Sequence, residues 1–358
     1  MNDTPVYRIF GLGGAGGRIA DAVVARTAGR LAGVAVDTDE GALEALSYCR
    51  PLLFGKTRFS GLGSGGDVSA SHMSAQEARS ALSRELDGTS VAVAVAGLGG
   101  GAGAGALPVL LKLADERNVP VLLVAVSPFA FEGADKVRAA STALRTVDGL
   151  GTARILLSND DLAPATGDLT LQDAFDRATD AAASALSLLW KMSALRGYVN
   201  LAPADVVQLL RNGRGTVDFG RARATGPRRF SEATDALWNQ PGLGLANKAA
   251  GAKAALVCVL GGPDLRLQEV GDAATAVSAM LPFGTPVNVS TVVDPEAAGW
   301  LEIVVLLFRR WASPEATGEA APAAPAGGRF ADTAATLEAG ENLDVPTFLR
   351  RRIHIDVD

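Results

Sequence analysis

The segment Val91–Pro108 constrains the fold of this chain more than any other, because an apolar strand runs directly into a glycine-rich loop that opens a helix. The alternating valines and alanines are typical of a strand that is buried in a parallel sheet. Glycines let main-chain N–H groups converge on an anion, and the N-terminus of a helix near Gly103 adds positive charge. The pattern predicts a phosphate-binding turn formed by Gly99, Gly100, Gly101, Gly103 and Gly105.

A second glycine loop, residues 11–17, follows the apolar run Val6–Phe10. Its glycines fit the GxGxxG pattern, and Asp37 ends the next strand about 20 residues later, so this loop alone fits a nicotinamide oxidoreductase. Two such loops in one sheet instead predict a shared polyphosphate site. A dehydrogenase that uses Asp37 and a pair of merely structural turns remain the alternatives.

The composition excludes several classes of protein. A formal net charge of −6 argues against a general nucleic-acid binder, which would carry a basic surface. The sequence has two histidines, His72 and His354, and neither CxxC nor HExxH spacing, so no metal site is expected. Cys49 and Cys258 are expected to be buried thiols in a reducing compartment. Without an apolar run of about 20 residues, a cytoplasmic protein is expected, with no direct membrane insertion.

The first half of the chain alternates apolar runs with helical patterns, which predicts a doubly wound parallel sheet. The predicted strands are Val6–Phe10, Leu31–Val36, Val91–Ala96, Val121–Val126 and Arg154–Leu157. A long helix is predicted from Thr170 to Arg196, with a capping box at Thr170 and Asp173 and a stop at Gly197. A helix over 205–211, strands over 253–260, 285–291 and 301–308, and a helix over 264–280 predict a second, smaller α/β domain.

The predicted domains are 1–196, the nucleotide-binding domain with the long helix, and 197–310, the C-terminal α/β domain. Residues 311–341 are rich in Ala, Pro, Gly and Glu, a composition that buries too little apolar surface to fold, so they are expected to form a disordered linker. Large side chains return in 342–358, which is typical of a short docking peptide.

Taken in order, the motifs of this chain resemble those of the FtsZ family of bacterial cell-division proteins, the bacterial homologues of tubulin. The motifs that carry the resemblance are Gly11–Gly17, Val36–Asp39, Gly61–Gly65, Gly97–Pro108, Pro128–Gly133, Ser158–Asp160, Leu171–Phe175, Gly251–Glu269 and Asp344–Arg350. The resemblance covers nearly the whole chain. It implies an α/β tubulin-type fold in which a long central helix joins a GTPase domain to a smaller α/β domain.

The resemblance also implies a GTP or GDP site, with Mg²⁺ accompanying the nucleotide. It places the phosphates on the two glycine loops, the ribose near Glu132, a phosphate-side cation at Lys136 and the guanine against Phe175. The residues it implies for nucleotide binding are Gly13, Gly14, Ala15, Gly16, Gly17, Arg18, Gly99, Gly100, Gly101, Ala102, Gly103, Gly105, Glu132, Lys136, Phe175 and Thr179. From the residues alone, Glu132 and Lys136 fit an ordinary helical ion pair, and Phe175 fits a core position.

For catalysis, the resemblance implies that Asn200 and Asp205 act on the nucleotide of a neighbouring subunit. The family loop has the form NxDxxD, and Ala202 occupies the place of its first carboxylate. Ala102 likewise stands where the family has a threonine hydroxyl. Arg18, Lys136 and Thr179 also depart from the family pattern. Turnover of GTP is therefore expected to be slow.

The resemblance implies two kinds of partner. The first is the chain itself, in a head-to-tail polymer at the division site. The second is the set of membrane-anchoring division proteins, reached through residues 343–352. The alternative function is a nucleotide-binding scaffold of a division filament that does not hydrolyse GTP. A basic cluster beyond Asp205 fits a solvated face or a partner surface; its members are Arg211, Arg214, Arg221, Arg223, Arg228 and Arg229.

Overall fold

A computed structural model describes residues 6–150, 152–162, 170–194, 199, 203–239, 244–311, 337–338 and 341–342. The strands in these residues are β1 Tyr7–Leu12, β2 Ala32–Asp37, β3 Arg50–Leu53, β4 Val91–Gly97, β5 Val121–Ser127, β6 Ala153–Ser158, β7 Gly213–Thr225, β8 Ala254–Gly261, β9 Val287–Val293, β10 Trp300–Trp311, β11 Leu337–Glu338 and β12 Glu341–Asn342. The helices are α1 Gly13–Arg26, α2 Glu40–Glu44, α3 Lys56–Phe59, α4 Val68–Glu77, α5 Arg79–Glu85, α6 Gly101–Glu116, α7 Ala134–Val147, α8 Asn159–Leu162, α9 Leu171–Ala194, α10 Pro203–Asn212, α11 Arg229–Asn239 and α12 Leu267–Met280.

The main sheet has ten strands in the order β3-β2-β1-β4-β5-β6-β7-β10-β8-β9. All neighbouring strands are parallel except β10, which runs antiparallel to both β7 and β8. This sheet belongs to a compact unit that comprises residues 1–312. In the second unit, residues 313–358, the described part is the antiparallel pair β11 and β12. The chain order reverses between β1 and β4, which is where ligands bind in doubly wound sheets.

Strand β4 shows why the first half of the sheet is buried on both faces. Val95 packs into the hydrophobic core on the side of α1 and α9. Ala94 and Ala96 pack into the core on the side of α6. Because successive side chains point to opposite faces, a strand of alternating Val and Ala presents larger residues to one layer and smaller ones to the other. A third core covers the outer face of β8 and β10 beneath α11 and α12.

The predicted strands of the first half are all present, within two residues at each end. The capping box of the long helix is also confirmed: Thr170 Oγ1 accepts from Asp173 N at 3.1 Å, and Asp173 accepts from Thr170 N at 3.3 Å. The expected stop at Gly197 lies outside the described residues. Both free cysteines are buried, and burial raises the pKa of each thiol to about 12.

The basic cluster conceals a strand that the sequence did not predict. Arg221 and Arg223 lie on β7 and both form ion pairs with Glu302 of β10, whose side chain is only 1% exposed. The Arg223 guanidinium also stacks on the Trp300 ring, 3.9 Å from its centroid. Charged residues inside a strand hide its apolar alternation. These two arginines therefore have ion-pair partners within the fold.

Arg229, at the start of α11, is buried and also bound to carboxylates. It donates to Glu269 at 2.7 and 2.8 Å and to Asp264 at 2.5 Å. These hydrogen bonds hold the pKa of both carboxyls below their ordinary values, and they raise that of the guanidinium. The cluster joins α11 to the N-terminus of α12.

The Arg229 cluster predicts an acid-sensitive contribution to stability. Because the pKa of Glu269 is lowered in the folded state, its contribution is present above the unfolded glutamate value of 4.5 and is lost as the pH falls through the folded value. Glu269→Gln should lower the free energy of unfolding at pH 7 by about 1 to 3 kcal/mol. The further decrease of that free energy between pH 7 and acid should be smaller in the variant than in the unsubstituted protein. Urea unfolding at a series of pH values measures the free energy of unfolding at pH 7 and its decrease in acid. The control is Glu232→Gln, which alters an exposed helical ion pair with Arg228 and should change little.

Candidate functional site

The two predicted glycine loops meet at the carboxyl ends of β1 and β4. These strands are hydrogen-bonded neighbours with Leu12 opposite Ala96, so α1 and α6 begin side by side. A pocket of about 610 Å³ opens above them. Its lining includes Gly13, Gly14, Ala15, Arg18, Asp37, Thr38, Asp39, Leu62, Gly63, Ser64, Gly65, Gly66, Gly97, Gly99, Gly100, Gly101, Ala102, Gly103, Pro128, Glu132, Lys136, Asn159 and Phe175.

Direct contact between the loops explains two of the glycines. A Cβ on Gly13, which has a φ of +72°, would lie 2.9 Å from the backbone N of Gly103. A Cβ on Gly103 would lie 2.8 Å from the carbonyl O of Leu12, at the start of the first loop, and 2.5 Å from that of Gly97. Side chains at either position would force the two backbones apart. The two loops therefore form one continuous backbone surface at the floor of the pocket.

That surface supplies hydrogen-bond donors. The first turns of α1 and α6 contain no acidic residue, and neither helix has a side chain that caps its N-terminus. The first backbone N–H groups of both helices therefore remain available, and both helix dipoles present their positive ends to the pocket. Two such ends beside each other fit an anion of more than one charge, such as a polyphosphate.

A third glycine loop completes the wall and was absent from the predicted site residues. Gly61, Gly63, Gly65 and Gly66 all have positive φ values. In addition, a Cβ on Gly101 would lie 2.3 Å from the Ser64 hydroxyl, so this loop packs directly on the start of α6. Residues 61–65 of this loop are among the motifs that carry the family resemblance, but none of them was named as a nucleotide-binding residue.

Asp37 lies where the GxGxxG spacing predicts an acidic residue, at the end of β2 and in the pocket wall. Its side chain is 6% exposed, and its Oδ1 accepts from the backbone N of Thr38 at 2.6 Å and of Asp39 at 3.2 Å. Burial raises the pKa of this carboxyl, and the two backbone hydrogen bonds oppose that rise. The pocket thus combines backbone donors with a fixed carboxyl group.

Glu132 and Lys136 form an ion pair, with Lys136 Nζ 2.9 Å from Glu132 Oε2. The pair does not lie within one helix, because Glu132 precedes α7 and the intervening Gly133 has a φ of +105°. Both also line the pocket. Glu132 is held in place because its Oε1 accepts from the backbone N of Phe129 at 2.9 Å. The pair therefore places one fixed carboxylate and one half-exposed ammonium group at the rim.

Phe175 lines the pocket from the first turns of α9. Its ring packs edge-on against Phe129 at 5.1 Å and against Phe131 at 6.3 Å between centroids. Phe129 and Phe131 stack on each other at 4.9 Å. Neighbouring aromatic rings fix the orientation of Phe175, which gives the pocket a flat apolar surface suited to a base.

Several residues implied for nucleotide binding do not line the pocket. A Cβ on Gly16 would meet the Val95 carbonyl at 2.3 Å, one on Gly17 would meet Leu46, and one on Gly105 would meet Ser71 of α4. These glycines allow close packing beneath the loops. Thr179 is half-buried one turn beyond Phe175 and is not among the lining residues.

The helix that bears Asp205 does not line the pocket. Asn200 and Ala202 are outside the described residues. Asp205 is exposed near the start of α10. The next residues of this helix, Val206 and Leu209, share an apolar cavity with Tyr7 and Val91, the first residues of β1 and β4. Helix α10 therefore packs at the N-terminal edge of the sheet, whereas the pocket lies at the opposite, C-terminal edge.

The described part of the chain contains no group of three or more His, Cys, Asp or Glu residues that could hold a metal ion. None of its helices combines the length and the apolar composition that spanning a membrane requires.

Comparison with known proteins identifies two family domains. The model described as "Tubulin/FtsZ family, GTPase domain" matches residues 7–166. The model described as "FtsZ family, C-terminal domain" matches residues 213–308. The first of these ranges contains both glycine loops of the pocket, and the second contains β7, β8, β9 and most of β10.

Curated relatives and solved structures agree with these matches. The chain is 30% identical to the cell division protein FtsZ of Pseudomonas putida over 85% of its own length and 76% of that protein. It is 28% identical to FtsZ of Azotobacter vinelandii over 97% and 96% of the two lengths. A GTPγS-bound protofilament of CetZ2 from Haloferax volcanii aligns with a TM-score of 0.70 at 28% identity, covering 84% of this chain and 92% of that one. The fold also matches an FtsZ dimer from M. jannaschii with a TM-score of 0.78 at 23% identity, covering 86% and 89%.

The start of α6 generates a prediction about Ala102. Ala102→Thr should raise the affinity for GTP, the nucleotide that the resemblance implies, because the hydroxyl adds a hydrogen bond to a charged phosphate; about tenfold is expected. Isothermal calorimetry measures the dissociation constant. Ala102→Val has the shape of threonine without the hydroxyl and should bring no gain. Equal affinities for the two variants would mean that position 102 does not contact phosphate.

Proposed function

The chain belongs to the FtsZ family of cell-division GTPases, and from that premise we propose that it binds GTP in the glycine-loop pocket and assembles head to tail at the division site. In this proposal each subunit completes the active site of the next, and GTP is hydrolysed slowly at their interface. One observation carries the proposal: the pocket and the helix that bears Asp205 occupy opposite edges of the sheet.

The length of the strands supports action between subunits. β1 has six residues, so about 20 Å separates its two ends at 3.3 Å per residue. Asp205 beside the first residues of the strands cannot reach a phosphate bound beyond their last residues. In a head-to-tail stack, however, the N-terminal edge of one subunit meets the C-terminal edge of the next. Asp205 would then orient a water molecule toward its neighbour's nucleotide.

The proposed binding mode assigns a part of the nucleotide to each wall of the pocket. The first N–H groups of α1 and α6 would hold the phosphates. Glu132 would accept a hydrogen bond from the ribose hydroxyls, and Lys136 would offer a positive charge on the phosphate side. Phe175, oriented by Phe129 and Phe131, would support the guanine.

Mg²⁺ fits this pocket only together with the nucleotide. The described residues offer no metal site of protein ligands alone. Mg²⁺ is commonly held by one or two carboxylates together with phosphate oxygens, and Asp37 and Asp39 are carboxylates of the pocket wall. When bound, the ion would offset negative charge on the phosphates.

The amino acids at two positions support slow turnover. Ala102 gives α6 no hydroxyl at its first turn, and Ala202 leaves Asp205 as the single acid in the loop 200–205. Loss of a positioned acid or base typically reduces a rate by about 10²- to 10⁴-fold. The same observations favour the second candidate function, a filament scaffold that binds GTP without hydrolysing it.

Catalysis between subunits predicts that GTP turnover per subunit rises with protein concentration. Ala202→Asp should increase turnover by about tenfold or more, and Asp205→Asn should abolish what remains. Neither change should alter GTP affinity, because both positions act on a neighbour. Phosphate release, measured beside light scattering over a range of concentrations, tests this.

The two candidate functions differ in that experiment. If filaments form and neither the unsubstituted protein nor Ala202→Asp releases phosphate, the protein is a scaffold. If turnover of the unsubstituted protein is independent of concentration, catalysis between subunits is excluded.

We also propose that residues 343–352, which lie outside the described residues, dock on membrane-anchoring division proteins. This segment combines apolar anchors with Asp344 and ends in Arg350–Arg352. Deleting residues 342–358 should leave GTP affinity and turnover intact and abolish recruitment to the division site. Fluorescence microscopy of the tagged protein tests this; normal localisation of the truncated protein would rule out a docking role.

A further inference from the structure

Three arginines, here called the edge arginines, lie where α10 ends, β7 begins and β10 ends: Arg211, Arg214 and Arg310. All three are exposed. Arg214 and Arg310 are directly opposite each other in the antiparallel pair of β7 and β10. Within the described residues, none of the three forms an ion pair, whereas the neighbouring Arg309 is bound to Asp218 at 2.5 Å. The described contact of Arg211 is a long hydrogen bond to the Asn118 carbonyl, at 3.4 Å.

This arrangement leaves positive charge uncompensated. Like charges directly opposite on neighbouring strands destabilise a sheet, and an anion that binds both removes that cost. Arg211 and Arg214 also line a groove of about 500 Å³ beside the first residues of β5. Asp115 is the one carboxylate among the described lining residues of this groove. In a chain of net charge −6, such a local excess of arginine fits an acidic partner surface.

The opposite edge of the same molecule offers such a surface. β6 ends at Ser158, and Asp160 and Asp161 follow after Asn159; both are exposed. Asp160 Oδ2 accepts from the backbone N of Ala130 at 3.0 Å, which leaves its other carboxylate oxygen for a partner. β6 and β7 are parallel neighbours, with Ala153 opposite Gly215. A copy stacked along the strand direction therefore brings the start of its β7 over the end of its neighbour's β6. In such a stack, the edge arginines of each copy lie beside Asp160 and Asp161 of the next.

We propose that the edge arginines bind Asp160 and Asp161 of the next copy of this chain. The inference rests on the proposed head-to-tail assembly and names a contact within it that is separate from the nucleotide. The contact fixes the register of one subunit on the next and raises the rate of their encounter, as complementary charges do at other interfaces.

Charge reversal tests the contact. Arg214→Glu should raise the critical concentration for GTP-dependent assembly by about tenfold, because it places like charges face to face. Adding Asp161→Arg to the same chain should restore assembly, since every interface then carries the exchanged pair. Sedimentation of the full-length protein with GTP measures the critical concentration. Arg310→Glu, on the paired strand, should reproduce the loss.

The matched control is Arg30→Glu. Arg30 is exposed, precedes β2 and lies at the same edge, but β2 is five strands from β7 in the sheet order. Arg30→Glu makes the same change of charge as Arg214→Glu. Because Arg30 lies far from the proposed contact, a smaller rise of the critical concentration is expected. The affinity of each variant for GTP should equal that of the unsubstituted protein, and no variant should have a lower melting temperature. Arg214→Glu and Arg310→Glu should melt slightly higher, because each replaces the like-charge pair across β7 and β10 with an opposite-charge pair. Added NaCl screens exposed charges, so it should also raise the critical concentration of the unsubstituted protein.

Each contrary result is decisive. An unchanged critical concentration in Arg214→Glu, an equal loss in Arg30→Glu, or no restoration by Asp161→Arg would overturn the pairing while leaving assembly itself intact. If the unsubstituted protein binds GTP and does not assemble at any concentration, the proposed function fails, and the pairing fails with it.

Discussion

The contact between the two glycine loops is the constraint on which the rest of the structure depends. α1 and α6 begin side by side because the backbones at Gly13 and Gly103 touch, and a side chain at either position would separate them. This contact brings two uncapped helix N-termini to one point, and every other wall of the pocket is arranged around it. The parallel order of β1 and β4 is the simplest way to achieve it, since both strands then end at the same edge.

The pocket combines backbone donors with side chains of both charges. Backbone N–H groups provide the positive potential of the floor, whereas Asp37, Asp39 and Glu132 place carboxylates in the walls. Lys136 is already paired with Glu132, so its charge is partly offset before any ligand arrives, and Arg18 is the second cationic side chain in the lining. The floor of the pocket, by contrast, depends on backbone geometry, which a glycine sequence can encode directly.

The sequence predicted the parts of the fold that follow from local pattern. The strands of the first half, the capping box at Thr170 and both glycine loops were identified because each has a periodicity or a spacing of its own. β7 was missed because its arginines are matched by Glu302, a partner about 80 residues away that no local pattern reveals. Packing glycines such as Gly16 could not be distinguished from phosphate-binding ones, because both roles require the absence of a Cβ. The third glycine loop was visible in the sequence, but its place in the wall depends on contact with α6.

α9 links the two edges that the proposed assembly brings together. Its 24 residues span about 36 Å, and Phe175 near its start lines the pocket. Toward the end of α9, Lys191 Nζ donates to Asp294 at 2.8 Å. Midway along the helix, Ser184 Oγ accepts at 2.8 Å from Arg221, the residue of β7 that also pairs with the buried Glu302. One helix therefore contacts the glycine-loop pocket through Phe175 and the second half of the sheet through Ser184 and Lys191. Because its residues share one hydrogen-bonded backbone, the position of the Phe175 ring in the pocket is tied to the packing of the strands that follow.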